Sequence, residues 1–68
     1  MEKVKISTEY IKLEQLMKLA GMVGSGSDAK MLIKDGTVKV NGNIEIQRGK
    51  KLRHGDTIVF EGKTYVIE

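Results

Sequence analysis

The apolar residues of this chain change their spacing once, near Gly36, and that change limits the folds open to it. Before Gly36, four apolar residues recur at the intervals that form one face of a helix: Leu13, Leu16, Met17 and Ala20. After Gly36, apolar and polar residues alternate, beginning with Val38 and Val40, and this alternation is typical of half-buried strands. Helices followed by a run of short strands predict an α+β fold, in which a small antiparallel sheet packs on a helix pair.

Two short packed helices are predicted, over residues 13–20 and 26–35. Gly21 and Gly36 come directly after these spans, and glycine suits the left-handed conformation in which many helices end. Only a few residues connect the two spans. We therefore expect the helices to pack against each other.

The segment 37–67 is expected to form short antiparallel strands joined by tight turns. Asn41-Gly42 and Glu61-Gly62 are both signals for a two-residue hairpin turn, because such turns need positive φ angles that these residues tolerate. Ile44 and Ile46 are expected to continue the alternation on the return strand of the first hairpin. A further short strand is expected near the N-terminus, over residues 3–7.

The basic residues concentrate in one segment. The chain has 12 Lys and Arg against 9 Asp and Glu, a net charge of +3. Residues 47–54 contain no acidic residue and hold four basic ones: Arg48, Lys50, Lys51 and Arg53. This basic segment interrupts the alternation of the strands. It is a candidate nucleic-acid patch, and the alternative is a solvated loop.

The residue types argue against an enzyme, a metal site and a bound cofactor. Cysteine is absent, which excludes disulfides and thiolate sites, and the single histidine, His54, lies in a predicted exposed turn. The carboxylates are scattered, so no acid–base pair is predicted.

No apolar run approaches the roughly 20 residues that span a bilayer, and the N-terminus lacks the apolar stretch of a signal peptide. A cytoplasmic protein without membrane contact is expected.

The start of the second helix is a candidate anion site. Residues 24–29 fit the dinucleotide fingerprint G-x-G-x-x-A, but that fingerprint requires a preceding strand and here a helix precedes it. Ser25 and Ser27 are both N-cap candidates, and free N–H groups at a helix start can bind a phosphate. Lys30 adds a positive charge one turn later. Capping alone is the alternative, and the two roles are compatible.

The aromatic residues argue against recognition of single-stranded bases. Of Tyr10, Phe60 and Tyr65, the last two fall in strand patterns that predict core positions. Without an aromatic platform on which bases stack, a nucleic acid would be held through its phosphates and its shape. That mode of binding favours structured RNA.

An ordered set of motifs resembles the S-four RNA-binding domain, also called the alpha-L motif. The matching segments are Lys12-Leu13-Glu14, Leu19-Ala20-Gly21, residues 25–30, Leu32-Ile33, Gly36, residues 38–42 and residues 51–56. They extend over about 45 of the 68 residues in the order of the family pattern. The chain departs from that pattern where Lys12, Gly26 and Lys30 replace arginines, because lysine lacks the planar fork of arginine and glycine lacks a side chain.

The resemblance implies an RNA-binding domain over residues 1–68, with its motif core at 12–56. It implies structured RNA as the partner, ribosomal RNA above all, and with it the ribosomal subunit or assembly factors. By position in the motif, RNA contacts fall on Lys12, Ser25, Gly26, Ser27, Lys30 and Lys34. The charge argument adds Arg48, Lys50, Lys51 and Arg53. A monomer is expected, and the alternative function is a protein-interaction adaptor that binds no nucleic acid.

Overall fold

Two helices and seven short strands make up the computed structural model, which describes all residues 1–68. The helices are α1 (Leu13–Leu19) and α2 (Gly26–Lys34). The strands are β1 (Glu2–Val4), β2 (Ile11–Lys12), β3 (Val38–Val40), β4 (Asn43–Ile44), β5 (Lys51–Leu52), β6 (Thr57–Phe60) and β7 (Lys63–Ile67). The predicted α+β fold is therefore confirmed. Neither helix has the length and apolar content needed to cross a lipid bilayer.

Both helices end where their glycines predicted. Gly21 has a φ of 74° and Gly36 a φ of 77°, the left-handed conformation that glycine adopts without a steric cost. After α1, the backbone N–H of Met22 donates to the carbonyl of Met17 at 2.9 Å, which satisfies one of the carbonyls left free at the helix end. The two helices pack on each other through fully buried side chains: Leu13, Leu16 and Met17 of α1 with Ala29 and Ile33 of α2.

The larger sheet has the strand order β1-β7-β6-β3-β4. The pairs formed within residues 37–67 are antiparallel, as predicted, but β1 pairs with β7 in parallel. A tight turn can join only antiparallel strands, whereas most of the chain lies between β1 and β7 and provides the long connection that parallel strands need. The N-terminal strand is also shorter than the predicted span of 3–7, since β1 covers only Glu2–Val4.

The two predicted hairpin turns are confirmed. Asn41 and Gly42 have φ angles of 50° and 86°, and the Glu61-Gly62 turn has 50° and 78°. The prediction for the return strand of the first hairpin is wrong in part, because β4 ends at Ile44 and Ile46 lies beyond it. Ile44 is paired with the exposed Lys39 and is itself 60% exposed.

A second sheet of two strands was not predicted. β2 and β5 pair antiparallel, with Ile11 opposite Leu52 and Lys12 opposite Lys51. The basic segment is therefore not loop throughout, because Lys51–Leu52 is strand and Leu52 is fully buried. All thirteen buried residues are apolar or aromatic and form one core cluster between the helices and both sheets, with Phe60 and Tyr65 in it as predicted.

Candidate nucleic-acid interface

Basic residues from α2 and from the basic segment meet at one open groove. Lys30 and Lys34 lie one turn apart on α2, and Arg48 faces them from residues 46–49. The groove encloses about 480 Å³ and has no acidic residue in its lining, which consists of Lys30, Lys34, Ile46, Gln47, Arg48 and Gly49. We call it the basic groove. It brings together Lys30 and Lys34, which the resemblance implies as RNA contacts, and Arg48, which was predicted from charge alone.

The backbone of the basic segment is fixed by the start of α1. This helix has no side-chain N-cap hydrogen bond, so its first N–H groups need other acceptors. The N–H of Leu13 donates to the carbonyl of Lys50 at 2.9 Å, and the N–H of Glu14 donates to the carbonyl of Arg48 at 3.1 Å. The backbone of residues 48–50 is therefore anchored to α1 by its carbonyl groups. Arg48 and Lys50 are both exposed, so their charged side chains can be reached from solvent.

A second group of cations lies on the exposed side of the β2–β5 pair. Lys51 Nζ lies 4.9 Å from the centroid of the Tyr10 ring, and Arg53 Cζ lies 5.8 Å from it. Both distances are within the range of cation–π attraction. Lys12 is opposite Lys51 in the register, so like charges lie close together. We call Tyr10, Lys12, Lys51 and Arg53 the outer ribbon. Because its cations repel one another, an anion bound here relieves that repulsion.

Two motif residues hold the turn that carries Arg53. The N–H of Arg53 donates to Asp56 Oδ2 at 2.8 Å, and Asp56 Oδ1 accepts from Asn41 Nδ2 at 3.1 Å. The side chain of Asn41 also accepts from the N–H of Thr57 at 2.9 Å. Asn41 and Asp56 therefore link the first hairpin turn to residues 53–57. This link gives two motif residues a structural role.

The start of α2 differs from the prediction in one residue. Ser25 is the N-cap and its hydroxyl accepts from the N–H of Asp28 at 3.2 Å, whereas Ser27 lies inside the first turn and caps nothing. A Cβ at Gly26 would lie 3.9 Å from Lys18 Nζ, so a cation from α1 stands beside this helix end. Sequence reasoning missed Lys18, because the contact depends on how α1 and α2 pack.

Most of the predicted contact residues lie at the start and on one face of α2, in the basic groove, or on the outer ribbon. Ser27, Lys30 and Lys34 share one face of α2, since their spacing is that of successive helical turns, and this face leads into the basic groove. Lys50 is exposed but belongs neither to the lining of the basic groove nor to the outer ribbon. Sequence reasoning also missed Tyr10 as a partner of the cations, because only the pairing of β2 with β5 places it beside them.

The remaining titratable groups do not gather into a second site. His54 is exposed, as predicted, and its Nε2 donates to the carbonyl of Thr8 at 3.1 Å. No group of three or more His, Asp or Glu side chains is arranged to hold a metal ion. The basic groove and the outer ribbon are thus the two charged surfaces of interest.

Comparison with known proteins gives consistent matches over almost the whole chain. The family model described as S4 domain matches residues 4–68. A Bacillus subtilis protein named "Probable ribosome maturation protein RlbA" is 41% identical over 59 residues, which cover 87% of this chain and 83% of that protein. YbcJ of Escherichia coli is 40% identical over 58 residues, which cover 85% of this chain and 83% of YbcJ.

Two solved structures share the fold. The solution structure of Escherichia coli YbcJ superposes with a TM-score of 0.74 at 32% identity, covering 98% of this chain and 86% of YbcJ. It is described as having an alfaL motif involved in RNA-binding. The 30S ribosomal protein S4e of Thermoplasma acidophilum superposes with a TM-score of 0.66, covering 88% of this chain and 32% of S4e. At 19% identity, this second match shows a shared fold only.

Proposed function

This chain belongs to the S4 domain family, as its ordered motifs predicted, and we propose that it is a non-catalytic protein that holds structured RNA through phosphate contacts. The observation that carries the proposal is the basic groove, where Lys30 and Lys34 of α2 face Arg48 across an opening without carboxylates. Cations arranged along a groove can neutralise successive phosphates, and the counterions released on binding favour the complex.

The outer ribbon extends the proposed contact surface. Arg48 belongs to the basic groove, and Lys51 and Arg53, a few residues further along the same segment, belong to the outer ribbon. The N–H groups at the start of α1 anchor the backbone at residues 48 and 50. RNA binding would therefore order little additional backbone, and a preorganised site loses less entropy on binding.

Ribosomal RNA is the proposed class of RNA. RlbA, at 41% identity, is named as a ribosome maturation protein, and YbcJ has a motif described as involved in RNA-binding. We extend both descriptions to this chain as part of the proposal. On this view residues 1–68 act as one RNA-binding domain, which binds as a monomer to a ribosomal subunit in the course of maturation, either directly or beside assembly factors.

The dependence of RNA binding on salt tests the proposal. The basic groove and the outer ribbon supply six cations: Lys12, Lys30, Lys34, Arg48, Lys51 and Arg53. If each contacts one phosphate, the logarithm of the association constant should fall against the logarithm of salt concentration with a slope of about −4 to −5. The measurement is fluorescence anisotropy with a labelled RNA hairpin at several salt concentrations. A folded protein whose binding shows no slope would contradict the proposal.

Exposed isoleucines support a second candidate function, a protein-interaction adaptor. Ile44 and Ile46 are 60% and 64% exposed, and Ile46 lies in the lining of the basic groove. Large exposed apolar side chains that lie close together often mark a contact with another protein. The same salt series separates the two functions, because binding driven by buried apolar area depends only weakly on salt.

Replacing Ser27 by glutamate tests whether the start of α2 faces RNA. Ser27 is exposed in the first turn and makes no capping bond, and a carboxylate near a helix N-terminus is favourable. Ser27→Glu should therefore keep the thermal stability of the protein. Its affinity for RNA should fall severalfold, because the carboxylate repels a phosphate at the same place. Ser27→Ala is the matched control, and its affinity for RNA should fall less. A glutamate variant that binds as tightly as the wild type would show that RNA does not reach this helix end.

A further inference from the structure

A hollow beside Tyr10 differs in chemistry from the basic groove. It encloses about 450 Å³ and is lined by Thr8, Glu9, Tyr10, Ile11 and Gln15. The lining combines an aromatic ring, an aliphatic side chain, an amide and a carboxylate, and it has no cation. Tyr10 is 38% exposed, so part of the ring can be reached from solvent.

A phosphate does not suit this hollow, but a nucleobase does. The carboxylate of Glu9 would repel a phosphate, whereas it can accept a hydrogen bond from the exocyclic amine of a base. Gln15 Oε1 accepts from the N–H of Lys12 at 3.4 Å, which orients the amide and leaves its NH2 group without a partner in the protein. Tyr10 lines the hollow, and an aromatic ring is the kind of side chain on which bases stack.

Two cations of the outer ribbon lie beside the Tyr10 ring that lines this hollow. Lys51 and Arg53 are drawn to the Tyr10 ring at 4.9 and 5.8 Å, so the same aromatic side chain borders the hollow and orients two positive charges beside it. We infer that this hollow receives one unpaired base of the bound RNA, stacked on Tyr10, while Lys51 and Arg53 bind the flanking phosphates. The inference rests on the proposed function and adds that the preferred RNA is a duplex interrupted by an unpaired nucleotide.

Two synthetic RNAs test this inference: a blunt duplex, and the same duplex with one unpaired adenosine. The wild-type protein should bind the bulged RNA at least about fivefold more tightly, because stacking one base on an aromatic side chain contributes that much or more. Tyr10→Leu should remove this preference, and Tyr10→Phe, which keeps the ring, should retain it. Circular dichroism of each variant checks that the protein is folded.

Tyrosine fluorescence gives a second readout that does not depend on affinity. The chain has two tyrosines and no tryptophan, and Tyr65 is buried in the core. In a Tyr65→Phe variant the emission comes from Tyr10 alone. The bulged RNA should quench this emission at saturation, and the blunt duplex should quench it much less.

Different outcomes overturn the inference and the proposed function. Equal binding of the two RNAs by the wild type, or a Tyr10→Leu variant that weakens both equally, would overturn the base site and leave Tyr10 only as a support for Lys51 and Arg53. Salt-dependent binding would persist in both of those cases, so the proposed function would stand. If the wild type binds neither RNA in a salt-dependent way, the proposed function fails and the base site fails with it.

Discussion

Leu16→Ala and Ile33→Ala should each lower the free energy of unfolding by about 2–5 kcal/mol. Leu16 of α1 and Ile33 of α2 are fully buried where the two helices pack, so truncation to alanine removes apolar contacts and leaves a cavity. Single domains are stable by only about 5–15 kcal/mol, and small ones lie at the lower end of that range. Either substitution should therefore remove a large part of the stability of the domain. Urea denaturation followed by circular dichroism measures the effect.

Leu19→Ala is the matched control for the core prediction. Leu19 is the same residue type on the same helix as Leu16, but its side chain is 59% exposed. A surface truncation of this kind should change the free energy of unfolding by about 0.5 kcal/mol or less. Equal losses for Leu16→Ala and Leu19→Ala would contradict the assignment of the buried face of α1.

Replacing the three cations of the basic groove by glutamine should weaken RNA binding strongly. In the variant Lys30→Gln, Lys34→Gln, Arg48→Gln, the salt slope should become less negative by about 2 to 3, since each lost phosphate contact contributes about 0.7–0.9. Affinity should fall about tenfold or more, and by a similar factor for every RNA sequence, because phosphate contacts do not distinguish bases. Stability should change little, since the three side chains are exposed.

Lysines on the larger sheet provide a control of equal charge. Lys3, Lys39 and Lys63 lie on β1, β3 and β7, and all three are exposed. The Lys3 ammonium lies 3.7 Å from a carboxylate oxygen of Glu68, a surface pair that should add little to stability. Changing these three lysines to glutamine removes the same net charge as the groove variant. If the salt slope becomes less negative by the same amount in both triple variants, net charge rather than the basic groove accounts for binding.

Local features explain which parts of the fold were predictable. Helix ends and hairpin turns depend on a few adjacent residues, and both the left-handed glycines and the Asn41-Gly42 turn lie where predicted. The exposure of Ile44 follows from the same turn. A two-residue turn at 41–42 pairs Val40 with Asn43 and Lys39 with Ile44, so Ile44 shares a face with an exposed lysine. The part of the prediction that failed concerns Ile46, because β4 ends at Ile44.

Long-range pairing explains what the sequence did not reveal. β2 and β5 contain two residues each, too few for a periodic signal, and they are far apart in the chain. Lys30, Lys34 and Arg48 were each predicted as contact residues, but their common groove depends on the contact between α1 and the carbonyls of residues 48 and 50. The position of Tyr10 beside Lys51 depends on the β2–β5 register in the same way.

The parallel pairing of β1 with β7 has a consequence for the order of folding. Glu2 is paired with Tyr65, so this contact closes a loop of almost the whole chain, and contacts between distant residues form slowly because they restrict many residues at once. The helix pair and the β3–β4 hairpin need only residues that are close together in sequence. They can therefore form before β7 joins the sheet, while β1 still has no partner. β1 therefore becomes paired only when β7 is in place.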